Sequence, residues 1–328
     1  MTSPIVDVHP ELFHYTNTDG LAGILKSQVL WATHTAYLND ASEFRIFQER
    51  LPEILKPAIK AGITELVGKS DANKVLIAQH GGIDEFVTKA TPQTSAGMYE
   101  ALLDFAEPFI ASFCTAEPGP IAQHGLLSQW RGYGREGGYA IVFDTEKLGR
   151  LVEAEGQKWG YDLFGGDVVY SDDSADKIRL EFEAQFSDLA SAMMEFLIAG
   201  GKSGPLEKTY PALIQCACRY KHWGFREEHE VRIIEIPPND EIFAEQQRRG
   251  LATERKPRHH FMRDATLVPC IHLFEGITHY PDRLLPIKRI IVGPHRDKDE
   301  RRRTTESLLQ ECQLSIPVMV SEIPYIGN

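Results

Sequence analysis

Several things are scarce in this 328-residue chain, and each scarcity excludes a class of protein. Its five cysteines, Cys114, Cys216, Cys218, Cys270 and Cys312, are odd in number and scattered, which argues against a disulfide framework. Only Cys216 and Cys218 stand close together. They lack a second Cys or His pair at structural-zinc spacing and read as small core residues. No apolar run approaches the roughly 20 residues needed to cross a bilayer, so no membrane association is expected. The opening Met1 to Asp7 lacks the basic-then-apolar pattern of a secretory leader, and the cytoplasm is the expected compartment. Positive charge is in deficit: 35 Lys and Arg against 47 Asp and Glu give a net charge of −12. That disfavours a broad basic surface for nucleic acid, while a local patch that takes nucleic acid as an acceptor stays open. No Gly-x-Gly-x-x-Gly follows a strand pattern, and Gly200-Gly201-Lys202-Ser203 lacks the frame of a phosphate-binding loop. There is no His-Glu-x-x-His, and the adjacent His259 and His260 point apart on a strand. No metal is expected.

What is present is globular composition, 42% hydrophobic and 9% aromatic. Short strands are expected at Leu12–Thr16, Val29–Thr33, Phe109–Thr115, Tyr139–Asp144, Gly165–Tyr170, Ile287–Pro294 and Ile316–Val320, with a hairpin or strand pair over His259–Leu273. Thr18 or Asp19 can cap a helix through Leu21, Ile24 and Leu25, and Asn39 or Asp40 can cap another. Residues 44–108 read as helix broken at Pro52, Pro57, Gly62, Gly68, Gly81-Gly82 and Pro92. Residues 173–218 also read as helix. Short strands interrupted by two long helical insertions favour a single α+β domain, residues 1–328, over a doubly wound parallel sheet.

The stretch from His222 to Ile234 concentrates charge. Taken as a strand, it places Glu228, Glu230 and Arg232 on one face, with His229, Val231 and Ile233 on the other. Two carboxylates and a guanidinium are not buried unpaired. Such a face lines a wet cleft, or it is simply the solvated side of an antiparallel strand. Polar and aromatic groups also gather at His14-Tyr15-Thr16, at Ser112-Phe113-Cys114 and at Gln129-Trp130-Arg131-Gly132-Tyr133. His14 is equally readable as a hydrogen-bonded strand histidine, Asn39 as a plain helix cap, Cys114 as a buried thiol, and Trp130 and Tyr133 as a helix stripe.

In order, Leu12–Thr16, Leu30–Thr33 with Asn39-Asp40-x-x-Glu43, Ser112-Phe113, Gln129-Trp130-x-x-Tyr133, Gly138–Asp144, Trp223–Ile234 and Ile290–Pro294 resemble a bacterial family, the domain of unknown function numbered twenty-nine seventy-one. More distantly, Phe13-His14-Tyr15-Thr16 through Trp31 resembles the opening of ADP-ribosyltransferase toxins. That resemblance implies an ADP-ribosyltransferase-like β framework and NAD as co-substrate. It implies NAD contacts from His14, Tyr15, Thr16, Asn39, Ser112 and Phe113, nicotinamide stacking on Trp130 or Tyr133, and a catalytic carboxylate at Glu230 or Glu228 supported by Arg232. It also implies a toxin or phage-defence setting, with an antitoxin or other protein partner. The long insertion at 44–108 and the choice between two glutamates depart from the toxin pattern. The alternative is a non-catalytic module that binds a nucleotide or partner. A magnesium nuclease built on Glu228 and Glu230 lacks the Asp-x-Glu-x-Lys arrangement it needs.

Overall fold

A computed structural model describes residues 9–38, 43–105, 107–133, 137–161, 163–171, 178, 180–198, 208–250, 254–263, 265–278 and 284–324. Its framework is a ten-stranded sheet. The strands are β1 (Glu11–Thr16), β2 (Leu30–His34), β3 (Phe109–Cys114), β4 (Tyr139–Asp144), β5 (Leu163–Asp167), β6 (Val169–Ser171), β7 (Tyr220–His222), β8 (Glu230–Glu235), β9 (His259–Arg263), β10 (Thr266–Leu273), β11 (Ile287–Val292) and β12 (Val318–Val320). The main path runs β12-β11-β4-β1-β3-β2-β10-β9, with β8 on β3 and β5 on β8. Strands β6 and β7 form a separate parallel ribbon. Among the described residues β11 and β12 are the one parallel pair of the main sheet, so the fold is α+β, as the short strands with long helical insertions implied.

Strand β3 is a fork. One edge pairs along its whole length with β8, from Phe109 opposite Glu235 to Cys114 opposite Glu230. The other edge is divided. Its first two residues pair with β2 and its last with Phe13 of β1, so Ser112 has no strand partner on that side. His14 fills the gap, with Nδ1 3.0 Å from the Ser112 carbonyl oxygen.

The insertions pack on the face that carries Ile110 and Ile234. They comprise Glu43–Lys69, Asp71–Gln79, Ile83–Phe105, Glu183–Ile198 and Tyr210–Arg219. Pro52, Pro57 and Pro92 lie inside helices rather than breaking them, and the expected breaks at Gly62 and Gly68 are also absent. A proline forfeits one backbone hydrogen bond. Burial of Phe47, Leu51, Ile54 and Leu55 against the sheet offsets that loss. The actual breaks are Ser70, which caps the next helix through Asn73, and His80 with its two following glycines. On the opposite face, helix Thr18–Ser27 is capped by Asn17, whose Oδ1 accepts from Gly20 N at 2.8 Å, rather than by Thr18 or Asp19. Asp144 caps helix Thr145–Trp159. The expected cap at Asn39 or Asp40 and the Gly200-Gly201-Lys202-Ser203 string lie outside the described residues. Among those described, no helix is long and apolar enough to cross a membrane. All five cysteines are free thiols.

A third core cluster joins Phe13, Tyr15, Trp130 and Ile291. Gly293 lies so close beneath Trp130 that a Cβ there would fall 2.9 Å from the indole and 2.8 Å from the Gly138 carbonyl oxygen. The Gly293→Ala variant is expected to lose about 1–3 kcal/mol of stability through this overpacking, measured by urea unfolding. At the start of β1, Glu11 takes both Arg289 and Lys288. The Arg289 hydrogen bond and the two cations hold its carboxyl at about 2, against the burial that would raise it. A carboxyl depressed on folding adds stability above its ordinary value and loses it as the pH falls through the depressed one. The Glu11→Gln variant is therefore expected to be less stable than the parent at pH 6. The difference should fade between about pH 4.5 and 2 in pH-resolved thermal melts.

Candidate functional site

The charged stretch folds differently from a simple strand. Residues Trp223–Glu228 form a 3-10 turn opened by His222, whose Nδ1 accepts from Gly224 N at 3.1 Å. His229 then adopts a left-handed backbone, φ +43°, and its carbonyl oxygen accepts from Thr115 N and Oγ1 at 2.9 and 3.2 Å. This kink removes Glu228 from the line of β8, which begins at Glu230. Glu228 therefore approaches Glu230 from the turn, not from the same strand face. Every residue of β8 is buried, so its polar face does not line a wet cleft.

Burial is tolerated because the charges are paired. Arg232, 2% exposed, donates from Nε to Glu230 Oε1 at 2.7 Å and from Nη2 to Oε2 at 3.1 Å. Its Nη1 donates to the Cys218 carbonyl oxygen at 2.6 Å. The sequence reading missed the second cation, Lys221, whose Nζ reaches Glu230 Oε2 at 2.9 Å and Glu228 Oε2 at 2.7 Å. Lys221 arrives on the β6–β7 ribbon, opposite Tyr170. The Tyr170 hydroxyl accepts from Glu230 N at 2.8 Å. Ser112, opposite Arg232 on β3, adds a side-chain hydrogen bond to Glu230. Tyr170 comes from a remote segment that no local spacing announces, while Lys221 directly precedes the charged stretch and is turned back onto it by the β7 strand and the 3-10 turn.

The two carboxylates respond oppositely. Burial pushes Glu230 up, but Arg232 and Lys221 overcome it and hold the acid at about 2. Burial raises Glu228, the adjacent Glu230 charge adds to that rise, and Lys221 opposes it without reversing it. Glu230 is sealed at 5% side-chain exposure, whereas Glu228 keeps 22%. Cys114 sits opposite Glu230, and burial together with the two glutamates raises its thiol well above the ordinary value. That holds the thiol in its protonated form.

The turn also carries exposed Trp223 and Phe225. Phe225 lies under Lys221 Nζ at 4.9 Å, and Arg226 lies over Trp223. Helix Leu127–Tyr133 packs beside this turn and ends in exposed Tyr133. Of the two residues considered for stacking, Trp130 is 1% exposed. Its ring meets Tyr15 edge-on at 4.9 Å, and its Nε1 donates to the His124 carbonyl oxygen at 3.0 Å. Tyr15 is buried too, its hydroxyl accepting from Leu126 N at 2.8 Å. Both are structural: packing on either side leaves Trp130 no open ring face.

The remaining candidates divide across the sheet. Phe13 is opposite Cys114, so alternation sends Leu12, His14 and Thr16 to the other face. The His14 ring lies 5.7 Å from Phe113, which is buried and meets Phe143 edge-on. Burial lowers the His14 pKa. The structure thus brings together Glu228, Glu230, Arg232 and Ser112. It connects His14 to them only through the Ser112 backbone, and it leaves Thr16 and Phe113 on the far side. Asn39 lies outside the described residues.

Fold and site together define an α+β protein with a buried acid–base network at a strand-to-turn junction. The family model described as "Protein of unknown function (DUF2971)" matches residues 129–233, from Gln129 to Ile233 on β8, which bears out the family expectation over that stretch. No curated protein and no solved structure matches the chain.

Proposed function

We propose that the chain cleaves the N-glycosidic bond of a nicotinamide nucleotide, acting as an NAD-consuming ADP-ribosyltransferase or NAD glycohydrolase. The reading is carried by one observation: Glu228 and Glu230 share a single lysine and are pushed in opposite directions. Two carboxyls separated in this way suit two roles, a fixed anion and a proton acceptor. Breaking the bond between nicotinamide and ribose C1′ leaves an oxocarbenium-like sugar, and nicotinamide departs with the bonding electron pair. Glu230, held ionised but sealed and paired with Arg232 and Lys221, acts from behind the site by fixing Lys221 and, through it, Glu228. Glu228, the more exposed acid, takes the proton of the attacking water or acceptor hydroxyl. Trp223, Phe225 or Tyr133 offers an aromatic face to the nicotinamide ring. The toxin or phage-defence setting, with its antitoxin or partner, rests on the resemblance of the opening segment.

The test is to incubate the purified protein with NAD, alone and with DNA, RNA or lysate, and to follow nicotinamide release. Release that depends on the protein supports the proposal; no release together with no calorimetric binding of NAD overturns it. Exposed Val75 and Leu76 on helix Asp71–Gln79 favour a second reading, a sensor whose helical insertion meets a protein partner. In that case NAD or a related nucleotide binds without turnover.

A further inference from the structure

We infer that His259, His272 and Glu275 form a binding site for a divalent transition metal of the zinc class, separate from the acid pair. The hairpin register builds it. His259 on β9 stands opposite Cys270 on β10, and His272 follows two residues later on the same face. The two imidazoles stack at 3.7 Å and 3°. Glu275, just past β10, reaches His259 Nε2 at 3.2 Å and His272 Nδ1 at 3.8 Å. One ligand atom from each residue lies within 4.8 Å of the other two. Two imidazoles and one carboxylate form a donor set that suits borderline divalent ions and leaves a coordination position for water.

The surrounding structure fixes the third ligand. Phe274 and Gly276, on either side of Glu275, both have left-handed backbones, φ +70° and +69°. For Phe274 that conformation is uncommon and costs energy. Buried Glu155 holds it by accepting from Phe274 N at 2.8 Å, while Lys158 donates to the Glu275 carbonyl oxygen at 2.7 Å. The turn therefore presents the Glu275 carboxylate to the histidines and keeps its backbone engaged elsewhere. His272 is packed on its other side by Trp31, nearly parallel at 18°. Nearby Lys158 and Lys256 oppose a cation, but Lys256 is paired with Glu155 and Glu235. Parallel rings hold their lone pairs in separate planes, so metal binding requires the two imidazoles to fan towards Glu275. Part of the stacking is exchanged for coordination bonds.

The test uses the 328-residue chain, stripped with chelator and titrated with Co²⁺ as a spectroscopic probe, then with Zn²⁺. One equivalent of Co²⁺ should give visible ligand-field absorption that Zn²⁺ abolishes. The His259→Ala, His272→Ala and Glu275→Gln variants should each weaken binding well beyond about tenfold, because even outer-shell partners of a metal ligand cost about 10–100-fold. His260→Ala, exposed on the opposite face of β9, should bind as the parent does. Absent absorption, or affinity unchanged in the folded Glu275→Gln variant, overturns the site. Glu275→Gln keeps side-chain size and the backbone hydrogen bonds, so it serves if a histidine variant fails to fold. The readout is metal binding alone and is independent of nicotinamide release.

Discussion

The Arg232→Met variant is expected to be about 3–5 kcal/mol less stable than the parent, the usual cost of removing one partner from a buried ion pair. Arg232 makes two hydrogen bonds to Glu230 and one to the Cys218 carbonyl oxygen. Methionine fills much of the same volume, so the loss reports the stranded carboxylate and carbonyl more than a cavity. Lys221 remains beside Glu230 and keeps the effect from being larger. The measurement is urea unfolding with the midpoint and slope fitted together. Adding Glu230→Gln to Arg232→Met should restore part of the stability, because the double variant leaves no buried unpaired charge. A loss below about 1 kcal/mol for Arg232→Met would place this contact in the class of exposed surface pairs.

The second large effect is on turnover. If NAD is the substrate, Glu228→Gln should lower nicotinamide release by about 10²–10⁴-fold, the contribution expected of a general base. Affinity for NAD should stay near that of the parent, since the amide keeps the size and the Lys221 hydrogen bond of the acid. A sensor would instead bind with unchanged affinity and show no turnover in either protein. The pH profile adds a discriminating sign. A base must be ionised to act, and burial raises the Glu228 pKa, so the acidic limb of the parent should fall above the ordinary glutamate value of 4.5. That limb should be missing from the residual activity of Glu228→Gln. An acidic limb unchanged by the substitution would remove Glu228 from the chemistry.

Apolar continuity made several strands legible. Tyr139–Asp144 and Phe109–Cys114 are almost wholly buried, so their sequence signal is a run and not an alternation. The helical insertions were legible from periodicity, but their internal prolines were over-read, because core contacts outweigh a lost hydrogen bond. At the candidate site, local sequence supplied Glu228, Glu230 and Arg232 but assigned them the wrong environment. Burial of the β8 polar face depends on Lys221 and Tyr170, which enter through the β6–β7 ribbon. The hairpin over residues 259–273 was also anticipated. Comparing His259 with its neighbour His260 nevertheless concealed its diagonal relation to His272, which only the cross-strand register reveals.

The fork at β3 sets the order in which the sheet can be completed. Residues 109–114 meet β1 and β2, already synthesised, on one edge, but the other edge waits for residues 230–235. More than a hundred residues, including the whole of the second helical insertion, must be ordered or looped out before that pairing closes. Contacts of such sequence separation are closed against loop entropy and form slowly. Until β8 arrives, β3 presents an unpaired backbone edge, and Glu230 lacks the hydrogen bond that Ser112 of β3 supplies. The ion pairs of the acid–base network are local in sequence, and it is their tie to Ser112 that is expected to close with the central strand.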